Sequence, residues 1–232
     1  LSPLRAPSAP AAAASLSVNA AVRDIHCHIL PGVDDGARDL HESLDMLRAA
    51  KRAGITRIVC TPHCRDPYFN YAAMWDAFRL LQSRAGGFPL QMGFEVNYAK
   101  LMDLGLDYAR YLHFDGSNEL LLELSRGATK YDFVEYERTI YELQGRGYQI
   151  IIAHPERCRA IQQDVEIAQR LVSMGCKLQA SADFIAGGRF GKEKRPALKL
   201  LNAGLYDYVA SDAHNASHYR HFKKVCSRYV ER

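Results

Sequence analysis

Asp24-Ile25-His26-Cys27-His28 is the stretch on which the reading of the whole chain turns. The residues before it, Ala20-Ala21-Val22-Arg23, can run as a strand into the two histidines. Alternate residues of a strand point to the same face. His26 and His28 therefore project together, and two imidazoles on one face can chelate one divalent ion. Asp34-Asp35-Gly36 follows on the next loop and can aim a carboxylate back at the same place. A His-x-His pair is common and carries little alone. Its meaning depends on what arrives at the ends of the later strands.

A chain of 232 residues is long enough for one large α/β domain with its own core. Its 48% hydrophobic and 24% charged residues are those of an ordinary globular protein. A net charge of +4 and a pI near 8.7 suit an anionic substrate but are too weakly basic to indicate nucleic acid. No run of about 18 apolar residues is present, so no membrane span is expected. The six cysteines read as reduced thiols of a cytoplasmic protein. Cys60 and Cys64 have zinc-like spacing but no second pair. Residues 1–20 are rich in Ala, Pro and Ser and lack the apolar core of a signal peptide. They read as a flexible lead to a single domain over 21–232.

Apolar periodicity predicts helices over 39–52, 71–84, 133–144, 165–174 and 195–203, with a short one near 101–108 and a final one at the end. Strands are predicted at 21–26, 57–60, 90–96, 119–124, 148–153, 177–180 and 206–210. Strand and helix thus alternate about seven times, which points to a parallel sheet with crossover helices. With no internal linker after residue 20, a closed or partly closed barrel is favoured over an open sheet.

The carboxyl ends of these strands collect His26, His28, His63, Glu95, Glu123, His154, Asp212 and His214, with Asp35 on the first loop. In a β/α barrel that face holds the chemistry. Glu95 and Glu123 lie within apolar strands, where an ionised carboxylate is costly to bury unless it is paired or metal-bound. So many ligands exceed the needs of one ion and suit two or three. Mixed imidazole and carboxylate donors fit Mn, Fe or Zn, and the near absence of thiolate argues against structural zinc. Clustered divalent ions serve hydrolytic phosphoryl transfer. Arg157, just after His154, can take phosphate oxygens in a bidentate grip. Arg65 and Arg220 are weaker candidates for that role.

The strings DIHCHILPGVDDGA, TPH, GFEVNY, LLLELS, IIAHPERC and ASDAHN, in that order, resemble the polymerase-and-histidinol-phosphatase (PHP) superfamily. Within it they are similar to the manganese-dependent protein-tyrosine phosphatases of bacterial capsule and exopolysaccharide loci. The resemblance covers about residues 20–225. It implies an α/β fold, a distorted (β/α)7 TIM-like barrel with its metal site at the carboxyl ends of the strands. It implies that His26, His28, Glu95 and Asp212 bind one Mn2+, that Glu95 bridges to a second held by Glu123 and His154, and that Asp35, His63 and His214 hold a third. Sequence leaves Asp34 and Asp35 open as ligands, with Asp35 favoured. Arg157 and Asp35 are the residues assigned to catalysis. The implied reaction is hydrolysis of phosphotyrosine in the tail of a partner bacterial tyrosine kinase, by attack of a metal-activated hydroxide. Against the family pattern, the lead is longer and the end after Val225 shorter than expected.

Two other functions compete. A small-molecule phosphoesterase of the histidinol-phosphatase kind would use the same metals. A metal-bound regulatory module would show a missing ligand, and none is missing. The cysteine-dependent phosphatase signature, Cys-x5-Arg, is read as absent, since Cys60 to Arg65 is one residue short. Oligomeric state is left open.

Overall fold

The computed structural model describes residues 23–187 and 191–229. The lead expected over 1–20 lies outside them. Every strand pairing is parallel, in two sheets with the orders β1-β2-β4 and β3-β5-β6-β7-β8-β9. In chain order the strands are β1 (Arg23–Asp24), β2 (Arg57–Cys60), β3 (His63–Cys64), β4 (Leu90–Met92), β5 (Glu95–Asn97), β6 (Glu119–Glu123), β7 (Gln149–Ala153), β8 (Lys177–Ser181) and β9 (Tyr208–Ala210). Helices Leu40–Arg52, Tyr71–Arg84, Asp132–Gly145, Val165–Ser173 and Lys194–Asn202 make the crossovers. The alternation read from periodicity is thus that of a parallel α/β fold.

The predicted strand over 90–96 splits into β4 and β5 at Gly93-Phe94. A Cβ on Gly93 would lie 2.4 Å from Phe114 Cδ1, so the backbone passes the Phe114 ring only as glycine. Thr61-Pro62 likewise separates β2 from β3, Pro62 having no N–H to donate. The chain still tracks its neighbour across both breaks. Gly93 N donates to Cys60 O at 2.9 Å and Glu95 N to Pro62 O at 3.1 Å. At the opposite edge, beyond β1 and β9, Cys27 pairs in parallel with Ala213. There His28 N donates to Ala213 O and Asp212 N to His26 O, each at 2.9 Å.

Period two sorts the strand residues between two cores. Leu120, Leu122, Ile150 and Ile152 join the large cluster that receives the helices. Leu121, Ile151 and Ala153 join Ile25, Val59, Phe114 and Ala210 in a second cluster. Glu123 is in phase with Leu121, so it stands directly above this second core, at the carboxyl end of β6. The helix expected near 101–108 is Tyr98–Leu104, whose start is capped by the Asn97 side chain, followed by a 3-10 turn at Leu106–Tyr111.

Candidate metal centre

The candidate ligands other than Asp35 lie at strand ends, with His63 and Glu95 just past the breaks that follow β2 and β4. His26 and His28 follow β1, His63 opens β3, Glu95 opens β5, Glu123 closes β6, His154 follows β7, and Asp212 and His214 follow β9. His154 and Asp212 have φ of 30° and 48° and are the non-glycine residues in the left-handed region among those described. Such backbone costs about 1–3 kcal/mol per residue and persists only where the surroundings impose it. Here it turns two strand ends toward the cluster, His154 to Glu95 and Asp212 to His26 and His28.

Glu95 is the hub. Its Oε2 lies 3.3 Å from His26 Nε2, 3.4 Å from His28 Nε2 and 2.7 Å from His63 Nδ1, and its Oε1 lies 2.7 Å from His154 Nε2. Asp212 Oδ1 lies 3.5 Å from both His26 Nε2 and His28 Nε2. Asp35 Oδ1 lies 3.2 Å from His63 Nε2 and 3.5 Å from His214 Nε2. The donor atoms fall into three compact groups: His26, His28 and Glu95; His63, Glu95 and Glu123; and His28, Asp35, His63 and His214. All nine sequence-predicted ligands are therefore brought together. Asp35, with 41% of its side chain exposed, and His214, with 24%, form the rim; the others are buried.

The charges are mutually dependent. Burial would raise the Glu95 carboxyl, but His26 and His63 hold it well below the usual carboxylate range. Burial acts the same way on Asp212, where Arg157 and His26 prevail and hold it well below. Glu123 is pushed up, by burial and by the Glu95 charge. Burial and the Arg157 cation push His154 down to about 4, against the pull of Glu95, so its ring is neutral and free to ligate. The Asp35 carboxyl is held low by hydrogen bonds with His214 and His63.

His26 Nε2, His28 Nε2, His63 Nδ1, Glu95 Oε2 and Asp212 Oδ1 are buried and none has a hydrogen-bond partner, although they crowd one another. Each such atom costs about 1–3 kcal/mol, and native folds tolerate only a few. One kind of occupant, a divalent cation accepting imidazole and carboxylate donors, satisfies them together. The residues present therefore fit a metal centre.

Gln179 and Asn97, beside the candidate ligands, escape sequence reading, and Asp34, left open there, takes a supporting place. Gln179 Oε1 contacts His26 Nδ1 at 2.9 Å and fixes that ring. Asp34 backs His28, with Oδ2 at 2.8 Å from Nδ1, while Asp35 faces the cluster. Gly36 lets this loop close on His28, whose carbonyl oxygen would lie 2.0 Å from an added Cβ. Asn97 donates to Glu123 Oε2 at 3.3 Å. A polar Gln inside a short buried strand was the one signal for Gln179. Arg157 pairs with Asp212 and lies 4.2 Å from the centre of the Phe184 ring. Arg65 reaches His63 Nε2 at 2.9 Å. Arg220 lies elsewhere, lining a cavity of about 530 Å3 that includes Arg52 and Lys223 and none of the candidate ligands.

The cysteine reading needs one correction. Cys226 does have Arg at the Cys-x5-Arg spacing, at position 232. Cys226 sits within helix Tyr219–Tyr229, and burial pushes its thiol up to about 12. A thiol so held in mid-helix provides neither a thiolate nor a phosphate-cradling loop.

Fold and cluster together define a class: a parallel α/β protein with a candidate multi-ion centre of imidazoles and carboxylates at its strand ends. Within that class, the chain belongs to the capsular polysaccharide synthesis CpsB/CapC family, which it matches over residues 22–232. It is 37% identical to the tyrosine-protein phosphatase YwqE of Bacillus subtilis over 201 residues, 83% of this chain and 77% of that one. It is 30% identical to the putative tyrosine-protein phosphatase CapC of Staphylococcus aureus, over 83% of this chain and 76% of that one. A solved structure of the metal-dependent tyrosine phosphatases YwqE, from Bacillus subtilis, and CpsB, from Streptococcus pneumoniae, matches with a TM-score of 0.76. That match has 33% identity and covers 90% of this chain and 88% of that one.

Proposed function

We propose that this chain is a manganese-dependent protein-tyrosine phosphatase. Its substrate in this reading is the phosphotyrosine tail of a cytoplasmic bacterial tyrosine kinase that governs capsule or exopolysaccharide synthesis. The observation that carries the reading is the set of orphaned, convergent donor atoms around Glu95. Membership of the capsular polysaccharide family and likeness to tyrosine phosphatases direct the chemistry to phosphotyrosine. The free state of all six cysteines supports a reducing compartment. Among the described residues, no helix is long and apolar enough to cross a membrane.

The backbone pairing also supports a distorted (β/α)7 barrel. β2 with β3, and β4 with β5, act as single interrupted strands, and the Cys27–Ala213 pair joins the first strand run to the last. On this frame His26, His28, Glu95 and Asp212 would hold one ion, Glu95 with Glu123 and His154 a second, and Asp35, His63 and His214 a third. The His63 ring touches Glu95 through Nδ1 and Asp35 through Nε2, so it links the buried acid to the rim.

Bound divalent ions lower the pKa of water and neutralise phosphoryl oxygens. Arg157 supplies a planar cation to the non-bridging oxygens, held in place by Asp212 and Phe184. Asp35, ionised at neutral pH and partly exposed, would accept a hydrogen bond from the attacking water at the rim. The phenolate leaving group, of pKa near about 10, needs less protonation than an alkoxide would.

The test is hydrolysis after chelation and Mn2+ add-back, comparing a phosphotyrosine peptide with histidinol phosphate. Restored turnover favouring the peptide is the expected result. Preference for histidinol phosphate would move the substrate to small-molecule metabolism, and turnover that survives chelation would refute the metal mechanism.

A further inference from the structure

The loop after β3 carries a feature that the metal cluster does not use. Arg65 lies beside the cluster, its Nη2 2.9 Å from His63 Nε2 and 3.5 Å from Asp35 Oδ2, with a third of its side chain exposed. Its Nε is buried without a partner. The Tyr68 ring lies 5.6 Å from the Arg65 guanidinium carbon. It also lies near parallel to the His63 ring, at an interplanar angle of 20° and a centroid distance of 5.9 Å.

Several contacts hold the loop. Tyr68 N and Phe69 N both donate to Arg65 O at 3.0 Å. Lys100 Nζ holds Asp66 at 2.8 Å. Phe69, partly buried too, lies edge-on to Phe94 and Tyr108. Tyr68 remains only partly buried. By contrast Phe184, the aromatic partner of Arg157, is 9% exposed and belongs to the core. A guanidinium one-third exposed beside a partly buried aromatic ring, both next to a candidate ligand, is the pairing an aryl phosphate calls for. The guanidinium takes a phosphate oxygen, and the tyrosine ring takes the aryl ring in an offset or edge-on contact.

We propose that Arg65 and Tyr68 form the subsite that recognises the aryl phosphate group, with Tyr68 setting preference for aryl over alkyl phosphomonoesters. This rests on the phosphatase reading for its substrate class, and its test is binding rather than turnover. Alkyl phosphates present no ring to Tyr68, so within this subsite they keep only the Arg65 contact.

The measurement is isothermal titration of the Mn2+-supplemented protein with two non-hydrolysable probes, phenylphosphonate and methylphosphonate. Wild type should bind the phenyl probe more tightly. Tyr68→Ala should weaken phenylphosphonate by about three- to tenfold, the range of an aromatic pair, and leave methylphosphonate unchanged. Tyr68→Phe should retain the preference, which separates ring contact from any role of the hydroxyl and guards against a misfolded alanine variant. Arg65→Ala should weaken both probes alike. Equal loss of both probes in Tyr68→Ala, an unchanged phenyl preference, or no preference in wild type would each overturn the proposal. Phosphotyrosine-peptide turnover by wild type is scored separately. Its absence would defeat the phosphatase reading while the probe ratio still decides the subsite.

Discussion

Two sets of buried acids lie within a few residues of one another, and their oxygens meet different things. Asp24 accepts from Ser211 N at 2.9 Å and from Ser211 Oγ at 2.6 Å. Glu156 accepts from Ser181 N and from the Tyr206 hydroxyl, each at 2.8 Å. Burial raises both, Asp24 to about 6 and Glu156 to about 7, with these hydrogen bonds opposing. Glu95 and Asp212 are as deeply buried, yet Glu95 Oε2 and Asp212 Oδ1 find no hydrogen-bond donor. The satisfied acids tie strand ends together: Asp24 joins β1 to the segment after β9, and Glu156 joins the turn after β7 to β8 and Tyr206. Each unsatisfied acid is paired through one oxygen, Glu95 with His154 and Asp212 with Arg157, and turns the other to a shared space. Buried polarity that is fully paired marks architecture here, and buried polarity that converges unpaired marks the site.

The sharpest way to break that distinction is to neutralise each kind of acid environment and compare. Glu95→Gln should give the largest effect: loss of bound metal by elemental analysis and of measurable hydrolysis, with the circular dichroism of the fold retained. Arg157→Ala should keep its metal and lose about 10²–10³-fold in kcat, the scale for one donor to a developing oxyanion. Gln179→Leu removes the partner of His26 Nδ1 and should weaken metal binding by about 10–100-fold, read by titration against a competing chelator. Tyr206→Phe removes a donor from Glu156 on the architectural side. It should cost about 1–3 kcal/mol in urea unfolding and leave metal content unchanged. Iodoacetamide on the native protein should have the smallest effect, none on hydrolysis, because burial pushes Cys176 and Cys226 up to about 12.

Asp35 on its loop apart, the candidate ligands were legible in sequence because each follows or sits within an apolar run long enough to read as a strand, and a buried His or Glu there needs a reason. Their partners were not. Gln179 is one amide in a five-residue strand, and nothing local tells that its side chain reaches across to His26. Asp34 and Asp35 are neighbours in sequence, and only the loop closure at Gly36 sends one behind His28 and the other to the rim. Arg220 read as near the cluster because it follows His214 closely, but its helix carries it to the Arg52 and Lys223 cavity. Helices Arg159–Gln163 and Ala182–Ala186 are too short for periodicity to announce. The pairing of Cys27 with Ala213 joins distant parts of the chain and has no local signature.

The central claim is that the orphaned atoms around Glu95 await divalent cations. The most direct test is calorimetric titration of the chelator-treated protein with Mn2+, run beside Glu95→Gln. Saturable binding of more than one ion by wild type, lost in the variant, is the predicted result. Absence of Mn2+, Fe2+ and Zn2+ binding by a folded wild-type protein would contradict it.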